Sequence, residues 1–142
     1  MACAERRIRI DAPPHVVWSV MADVERWPEW TESIRSLQPL DAAELAVGRR
    51  YRIDARGAPR ATWRVNQLDE GRGFAWATTS GVRIVAGHTI APADAGSSVT
   101  LSIRTEGLLA TLFAPAIVRL SRRNMELEAE GLKHRSEERA RA

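Results

Sequence analysis

Hydrophobic and polar residues alternate with period two in residues 7–11 and then change to a helical spacing. The alternation predicts a short strand with one buried face, which the prolines at 13 and 14 end. These prolines suit the first turn of a helix, where a missing backbone amide costs no hydrogen bond. Pro28 disfavours helical geometry at the residue before it, so a second short helical turn is expected from Glu25 to Trp30. The first predicted helix spans His15 to Asp23, and its apolar stripe is Val17, Val20, Met21 and Val24, widened by Trp18.

Alternating segments separated by turn residues fill the middle of the chain and predict six further strands. The connections are short and rich in glycine, proline, serine and aspartate, as in Gly57-Ala58-Pro59. Short connections favour an antiparallel meander, because parallel neighbours need crossovers of a dozen or more residues. The predicted strands are Ile34–Leu40, Arg49–Arg56, Arg60–Leu68, Phe74–Thr79, Val82–Ala91 and Ser98–Thr105.

After Gly107 the apolar residues recur every three or four positions, which predicts a long closing helix. Pro115 is expected to begin, bend or interrupt it. Beyond Leu127 the side chains are mainly charged, so the last turns are expected to be exposed and frayed. A helix of about thirty residues would be roughly 45 Å long, enough to cross a small sheet. Its predicted inward stripe is Leu109, Leu112, Phe113, Ala116, Ile117, Leu120, Asn124 and Leu127.

Length and composition indicate one domain over residues 1–142, since 44% hydrophobic content supplies one core and 142 residues are too few for two. The N-terminal residues lack the apolar segment of a secretory signal, and no run of eighteen apolar residues predicts a transmembrane segment. Cys3 is the only cysteine and is expected to lie in a frayed terminus, which excludes a disulfide framework and a thiolate metal site. A cytoplasmic location is expected.

The basic residues do not form a pattern typical of nucleic-acid binding, although the isoelectric point is near 9.9. The net charge is only +3, and the arginines are spread over the whole length. Arg50 and Arg52 alternate with Tyr51 and Ile53, which places these arginines on the solvent face of a strand. No nucleic-acid partner is therefore predicted.

The order strand, two short helices, six strands and a long helix resembles the helix-grip fold of the START and Bet v 1-like (SRPBCC) superfamily. Residues 10–18, Ile-Asp-Ala-Pro-Pro-His-Val-Val-Trp, look like the opening of the bacterial polyketide cyclase/dehydrase and lipid-transport family. Asp23 to Trp30 matches the Asp-x-x-x-Trp-x-x-Trp segment of that family, and Val47-Gly48, Trp76 and Leu132-Lys133 also fit.

This resemblance implies an α+β fold in which a curved seven-stranded antiparallel sheet, two short helices and a long C-terminal helix enclose a hydrophobic cavity. Trp27 and Trp30 would fix the short helices against the sheet edge and the closing helix. Members of the superfamily use the cavity for lipids, sterols, quinones, polyketides or plant hormones; some carry the ligand and a few transform it. Fold alone does not decide between these functions.

Period-two alternation assigns one face of each strand to the expected cavity. Small residues among them, such as Ala61 and Ala86, favour an unfilled interior, since large side chains would have occupied that space. From the sheet the predicted ligand-binding residues are Tyr51, Ile53, Trp63, Val65, Phe74, Trp76, Thr78, Ile84, Ala86, His88, Ile90, Leu101 and Ile103. From the closing helix they are Leu109, Leu112, Phe113, Ala116, Ile117 and Leu120.

His88 is the one histidine predicted to point inward, which makes it the candidate general acid or base, with Tyr51 and Thr78 as further polar groups. A satisfied core histidine is the structural alternative. The three histidines are far apart, no Gly-x-Ser-x-Gly motif is present, and no glycine-rich segment lies between a strand and a helix. Neither a metal nor a cofactor is predicted.

Three functions remain compatible with these observations. The first is binding or transport of a small hydrophobic molecule, and the second is a polyketide aromatase, cyclase or dehydratase that uses His88 and Tyr51. The third is an interaction module, in which the apolar run Leu108–Leu120 contacts a membrane surface or a second subunit, with Arg119, Arg122 and Arg123 beside it. The oligomeric alternatives are a monomer and a homodimer.

Overall fold

The computed structural model describes residues 3–42 and 44–142, and its strands form one antiparallel sheet. The strands are β1 (Cys3–Ile10), β2 (Ile34–Pro39), β3 (Arg50–Ala55), β4 (Ala61–Asp69), β5 (Gly73–Thr78), β6 (Arg83–Ala93) and β7 (Gly96–Glu106). Their spatial order is β1-β7-β6-β5-β4-β3-β2, so the first two strands of the chain occupy opposite edges. The predicted antiparallel sheet of seven strands is confirmed.

Three α-helices and one 3-10 turn complete the fold: α1 (Pro14–Ala22), the 3-10 turn Val24–Arg26, α2 (Trp27–Trp30) and α3 (Leu108–Arg141). Proline occupies the first turn of both short helices, as expected where the backbone amide has no helical partner. The long helix α3 lies against β1, β7, α1 and α2. This arrangement confirms the helix-grip architecture.

Two bulges interrupt the ladder of the sheet, at Ile34/Ser36 in β2 and at Val65/Gln67 in β4. A bulge bends its strand and increases the local twist, which curves the sheet. The inner, concave face carries the apolar positions predicted from the alternation. Those buried there include Tyr51, Ile53, Val65, Phe74, Trp76, Ala86, His88, Ile90 and Leu101.

Both ends of the chain differ from the prediction. The first strand begins at Cys3, where the prediction placed a frayed terminus, because its backbone pairs with β7 as far as the Cys3–Arg104 pair. Cys3 itself is exposed. Met1 and Ala2 of that predicted terminus lie outside the described residues. At the other end α3 runs to Arg141, with Pro115 inside it, so neither the interruption nor the frayed tail is observed.

The first half of α3 presents its large apolar side chains to solvent, and the prediction that they pack across the sheet is wrong. Leu109 is 58% exposed, Leu112 76% and Phe113 53%, and Ala116 is also exposed, while Ile117 and Leu120 are half-buried. The buried side chains of α3 are Ala110, Met125, Ala129, Leu132 and Ser136.

The cause lies in the second half of the helix, which fixes the rotation of the whole element. Met125, Ala129, Leu132 and Ser136 follow a single helical stripe against the sheet and α1. Continued backward with the same spacing, that stripe passes through Ser121, Val118, Ala114 and Ala110 rather than through the leucines, and Val118 packs against the core. Because α3 is one continuous helix, the rotation about its axis that buries the second-half stripe also directs the leucines of the first half outward.

Candidate functional site

The centre of the inner face is built from two neighbouring cross-strand rows. In one row Phe74, His88 and Leu101 are direct partners on β5, β6 and β7. In the next row Val65, Trp76, Ala86 and Ile103 are partners on β4 to β7. Partners in a ladder project to the same face, so His88 lies beside Trp76 in the middle of the sheet.

Gly73 permits the close approach of β5 and β6 beside this histidine. A Cβ atom at Gly73 would lie 2.2 Å from the backbone oxygen of His88, closer than any side chain allows. Glycine at this position therefore keeps the two strands in contact at the site.

The imidazole of His88 is enclosed by aromatic rings. It stacks on Phe74 with ring centroids 4.4 Å apart and an interplanar angle of 16°. Trp27 and Trp76 approach it edge-on, at 5.3 Å and 5.7 Å. Only 3% of His88 is exposed. The aromatic cluster continues through Tyr51 and Trp63, which lie 5.8 Å and 6.3 Å from Trp76.

Trp27 lies at the centre of this cluster, whereas the sequence placed it at the edge of the sheet. Its ring contacts Trp76 and Phe74 at 5.3 Å and 6.0 Å, and its indole nitrogen donates a hydrogen bond of 2.9 Å to the Met21 oxygen. Trp30 packs beside it at 5.4 Å and contacts the closing helix, as expected. The helix α2 thus carries one wall of the site.

The hydrogen bonds of His88 define its tautomer. Nδ1 lies 3.2 Å from the backbone oxygen of Phe74, and a carbonyl oxygen can only accept, so Nδ1 carries the hydrogen. Nε2 lies 3.4 Å from the Glu128 carboxylate, on α3. The side chains are 4% and 14% exposed, so water screens this contact little.

The Nε2 contact links His88 to α3, as the Nδ1 contact links it to β5. A carboxylate beside one imidazole nitrogen and a carbonyl oxygen beside the other fix the orientation of the ring.

Sequence reasoning missed Glu128, because it lies in a run of charged residues that suggests a solvated helix. The signal that could have found it is the spacing of Met125, Ala129 and Leu132, which marks an inward stripe through that run. Glu128 borders this stripe, one residue before Ala129.

Tyr51 and Thr78 do not join the histidine. Tyr51 is fully buried, which raises the pKa of its phenol, and its hydroxyl donates a hydrogen bond of 3.4 Å to the Glu44 oxygen. The Thr78 hydroxyl donates to the Val82 oxygen at 2.8 Å and accepts from the Ile84 amide at 3.0 Å. These two hydrogen bonds stabilise the turn between β5 and β6, so the Thr78 hydroxyl already has partners within that turn.

Three predicted lining residues mark an accessible end of the inner face. Trp63, Ile84 and Ile103 share the parity of the buried rows but are only half-buried. The remaining predicted sheet residues, Ile53, Val65, Ala86, Ile90 and Leu101, are buried in the core. The apolar inner surface is thus continuous from Trp63 inward to His88.

Two depressions lie outside this cluster. One of about 480 Å³ is bordered by Trp18, Leu45 and acidic residues including Glu44 and Glu70. The other, of about 520 Å³, lies along α3 and is lined by Pro115, Ala116, Arg119, Leu120 and Arg123.

Within residues 3–42 and 44–142, no three histidine, cysteine or carboxylate side chains are grouped so that they could hold a metal ion. None of the helices in the described part of the chain is long and apolar enough to cross a membrane.

Comparison with known families finds one match over nearly the whole chain. Residues 1–137 match the family described as polyketide cyclase / dehydrase and lipid transport. Compared by sequence with curated proteins, the chain has no match.

Several solved structures share the fold at low sequence identity. The protein TTHA0849 from Thermus thermophilus is 20% identical, with a TM-score of 0.77 over 95% of this chain and 97% of that one. The ZhuI aromatase/cyclase from Streptomyces sp. R1128 is also 20% identical, with a TM-score of 0.77 over 99% and 96%. The di-domain ARO/CYC StfQ from the steffimycin biosynthetic pathway is 12% identical, with a TM-score of 0.80 over 99% of this chain and 52% of that one.

Proposed function

Because the chain belongs to the polyketide cyclase/dehydrase and lipid transport family, we propose that it binds and carries a small hydrophobic molecule. The ligand would lie on the inner face of the sheet, between Trp63 and the start of α3. In this proposal residues 1–142 form one binding domain that acts in the cytoplasm, as a monomer or a homodimer.

The observation that carries this proposal is the partly exposed end of the aromatic surface. Trp63, Ile84 and Ile103 project inward and yet remain accessible, while Trp76 lies directly behind Trp63 at 6.3 Å. Small-molecule sites are mostly apolar and aromatic, with few polar groups. A flat aromatic or polyene-like ligand could stack on Trp63 without displacing the buried core.

Enclosure of His88 favours binding over catalysis. Both nitrogens already have partners, and aromatic rings cover the imidazole. A ligand on Trp63 would reach the histidine only if Trp76 or Trp27 moved. Binding requires no such movement.

Titration with the fluorescent probe anilinonaphthalene sulfonate tests the binding site. We expect Trp63→Ala to weaken probe affinity about tenfold, since it removes one stacking ring. The matched control is Trp18→Ala, which lies in the acidic depression and should change affinity less than about twofold, because carboxylates there repel the anionic probe. Equal effects of the two variants, or probe binding unchanged by Trp63→Ala, would contradict the proposal. Native mass spectrometry of protein from its own host would then identify a retained ligand.

The second candidate function is an aromatase, cyclase or dehydratase, and the contact of His88 with Glu128 inside the aromatic cluster favours it. In such an enzyme His88 would act as the general acid or base toward a carbonyl or hydroxyl oxygen of a polyketide-like chain. Glu128 would position the imidazole.

A linear poly-β-ketone thioester distinguishes the enzyme from the carrier. For an enzyme, Glu128→Gln should lower product formation by about 10² to 10⁴, the usual contribution of a general acid or base, while binding changes a few fold. The control Glu126→Gln lies on the exposed side of α3 and should have no effect. If the wild-type protein binds the thioester and forms no product, the carrier function stands alone.

A further inference from the structure

The first half of α3 has an outer face that combines exposed apolar side chains with arginines. By helical spacing, Leu109, Leu112, Ala116, Arg119 and Arg123 point in similar directions, and we call these residues the outer face of α3. At its N-terminal end Leu108 is 89% exposed and Leu112 76%. The opposite side of the same turns carries Ala110, Ala114, Val118 and Ser121.

The net positive charge of the chain is concentrated in this segment. Residues 107–125 contain three arginines and no carboxylate, while the rest of the chain has eighteen basic and eighteen acidic residues. Among the described residues, Arg119, Arg122 and Arg123 have no carboxylate within ion-pair distance. Elsewhere some arginines, such as Arg50 and Arg83, are paired. Within the described ranges Arg35 and Arg52 are not, but carboxylates lie nearby in sequence, at Glu32 and Asp54, which residues 107–125 lack. Arg119, Arg122 and Arg123 can therefore form ion pairs with a separate binding partner.

Two of these arginines border a depression that could receive a headgroup. Arg119 and Arg123, one helical turn apart, line the space of about 520 Å³ together with Pro115, Ala116 and Leu120. Guanidinium groups bind phosphate with paired N–H donors. Apolar residues continue the same face toward Leu109.

We propose that the outer face of α3 docks on a membrane surface that contains anionic phospholipids. The leucines contact the acyl chains at the boundary of the headgroup layer, and Arg119, Arg122 and Arg123 bind phosphates. An apolar face flanked by basic residues is the pattern of helices that lie in a membrane interface. The docking does not depend on which molecule the inner face of the sheet binds.

A second copy of the chain fits this surface less well. Two such faces would bring six arginines together with no carboxylate from residues 107–125 to pair them. A membrane surface with anionic phospholipids supplies the negative charge that a second copy lacks here.

Vesicle co-sedimentation of the full chain tests the proposal. Vesicles of phosphatidylcholine with phosphatidylglycerol should bind the protein, less so as salt rises, while phosphatidylcholine alone should not. We expect the double variant Arg119→Gln, Arg123→Gln to weaken vesicle affinity about 25-fold, since each basic side chain near an anionic surface contributes about fivefold. The matched control, Arg35→Gln with Arg52→Gln, removes two exposed arginines of β2 and β3 and should change affinity less than about twofold.

A second pair of variants tests the apolar part of the face together with Phe113, which borders it and is 53% exposed. Leu112→Ser with Phe113→Ser should abolish vesicle binding and leave the thermal unfolding midpoint unchanged, because both side chains are exposed. Leu40→Ser with Val47→Ser removes two exposed apolar side chains elsewhere and should leave binding intact. Equal binding to neutral vesicles, absence of binding, or equal loss in either control would overturn the proposal. So would a dimer in sedimentation analysis that Leu112→Ser with Phe113→Ser dissociates, since the occupant would then be a second copy.

Discussion

In both halves of α3 the observed burial is the opposite of what the composition suggests. Residues 108–123 are rich in leucine and alanine but leave their largest side chains in solvent. Half of residues 124–141 are charged, yet Met125, Ala129, Leu132 and Ser136 are buried. The polar half is the one that attaches the helix to the rest of the protein.

Polar contacts as well as buried side chains attach the second half. Glu137 accepts a hydrogen bond of 2.8 Å from the Asp11 amide, and Arg139 donates one of 3.0 Å to the Ser19 hydroxyl. Arg135 reaches Glu29 on α2 at 3.3 Å. At the start of the second half, the Asn124 side-chain amide donates a hydrogen bond of 3.1 Å to the Arg56 backbone oxygen. The contacts that each side chain makes therefore decide which half of α3 is attached to the protein. Hydropathy alone would have predicted the other half.

Truncating one leucine in each half should show the largest difference. Leu132→Ala should lower the free energy of unfolding by about 2–5 kcal/mol, because Leu132 is 1% exposed and its loss leaves a cavity. Leu112→Ala, at 76% exposure, should change it by less than about 0.5 kcal/mol. Urea unfolding of both variants measures the contrast. Similar losses would mean that the first half also packs against the protein.

Gly131→Ala tests how closely the second half approaches α2. A Cβ atom at Gly131 would lie 1.9 Å from the Trp30 backbone oxygen, so α3 must move away. We expect a loss of about 1–3 kcal/mol, although alanine in a helix usually gains about 1 kcal/mol over glycine. Thermal or urea unfolding measures it. The exposed neighbour His134→Ala is the control and should be neutral, and a stabilised Gly131→Ala protein would disprove the close approach.

Glu137→Gln should have the smallest effect, and its effect should depend on pH. Burial opposes ionisation of Glu137, but hydrogen bonds from Lys133 at 2.5 Å and from the Asp11 amide outweigh it and lower the pKa below 4.5. A lowered carboxyl pKa stabilises the fold above the unfolded-state pKa, and this contribution is lost as pH falls through the folded-state value.

The variant should therefore be less stable than the wild type by about 1 kcal/mol at neutral pH, and the difference should shrink below about pH 4. Urea midpoints at the two pH values measure it. Glu138→Gln, at an exposed position of the same turn, should show no such dependence. A difference that grows on acidification would contradict the assigned direction of the pKa.

The sheet could be predicted from the sequence because its signal is local. Alternation in Tyr51 and Ile53, or in Ala86 and His88, assigns a face directly, and turns such as Gly57-Ala58-Pro59 separate the strands. The strand boundaries deviate by a few residues at most, since backbone pairing extends wherever the neighbouring strand continues. The position of His88 in the core followed from the same alternation.

The helical wall of the site could not be predicted in this way. Trp27 meets His88 only because α2 folds under the sheet, and Glu128 meets it only because α3 is rotated by its second half. Both contacts join residues far apart in sequence, and neither has a local pattern. The predicted inward direction of Leu112 rests on the premise that an apolar helical stripe faces the sheet, and this premise does not hold for the first half of α3.

The position of β1 has a consequence for synthesis of the chain on the ribosome. Cys3 pairs with Arg104, so β1 has no pairing partner until β7 has been made. At roughly 5–20 residues per second, that wait is about 5–20 s for about a hundred residues. Hairpins between consecutive strands can form meanwhile, whereas α3, which packs on β1 and β7, can dock only after its own residues have left the ribosome. The nascent chain therefore exposes the surface that will contact its closing helix until α3 has been made.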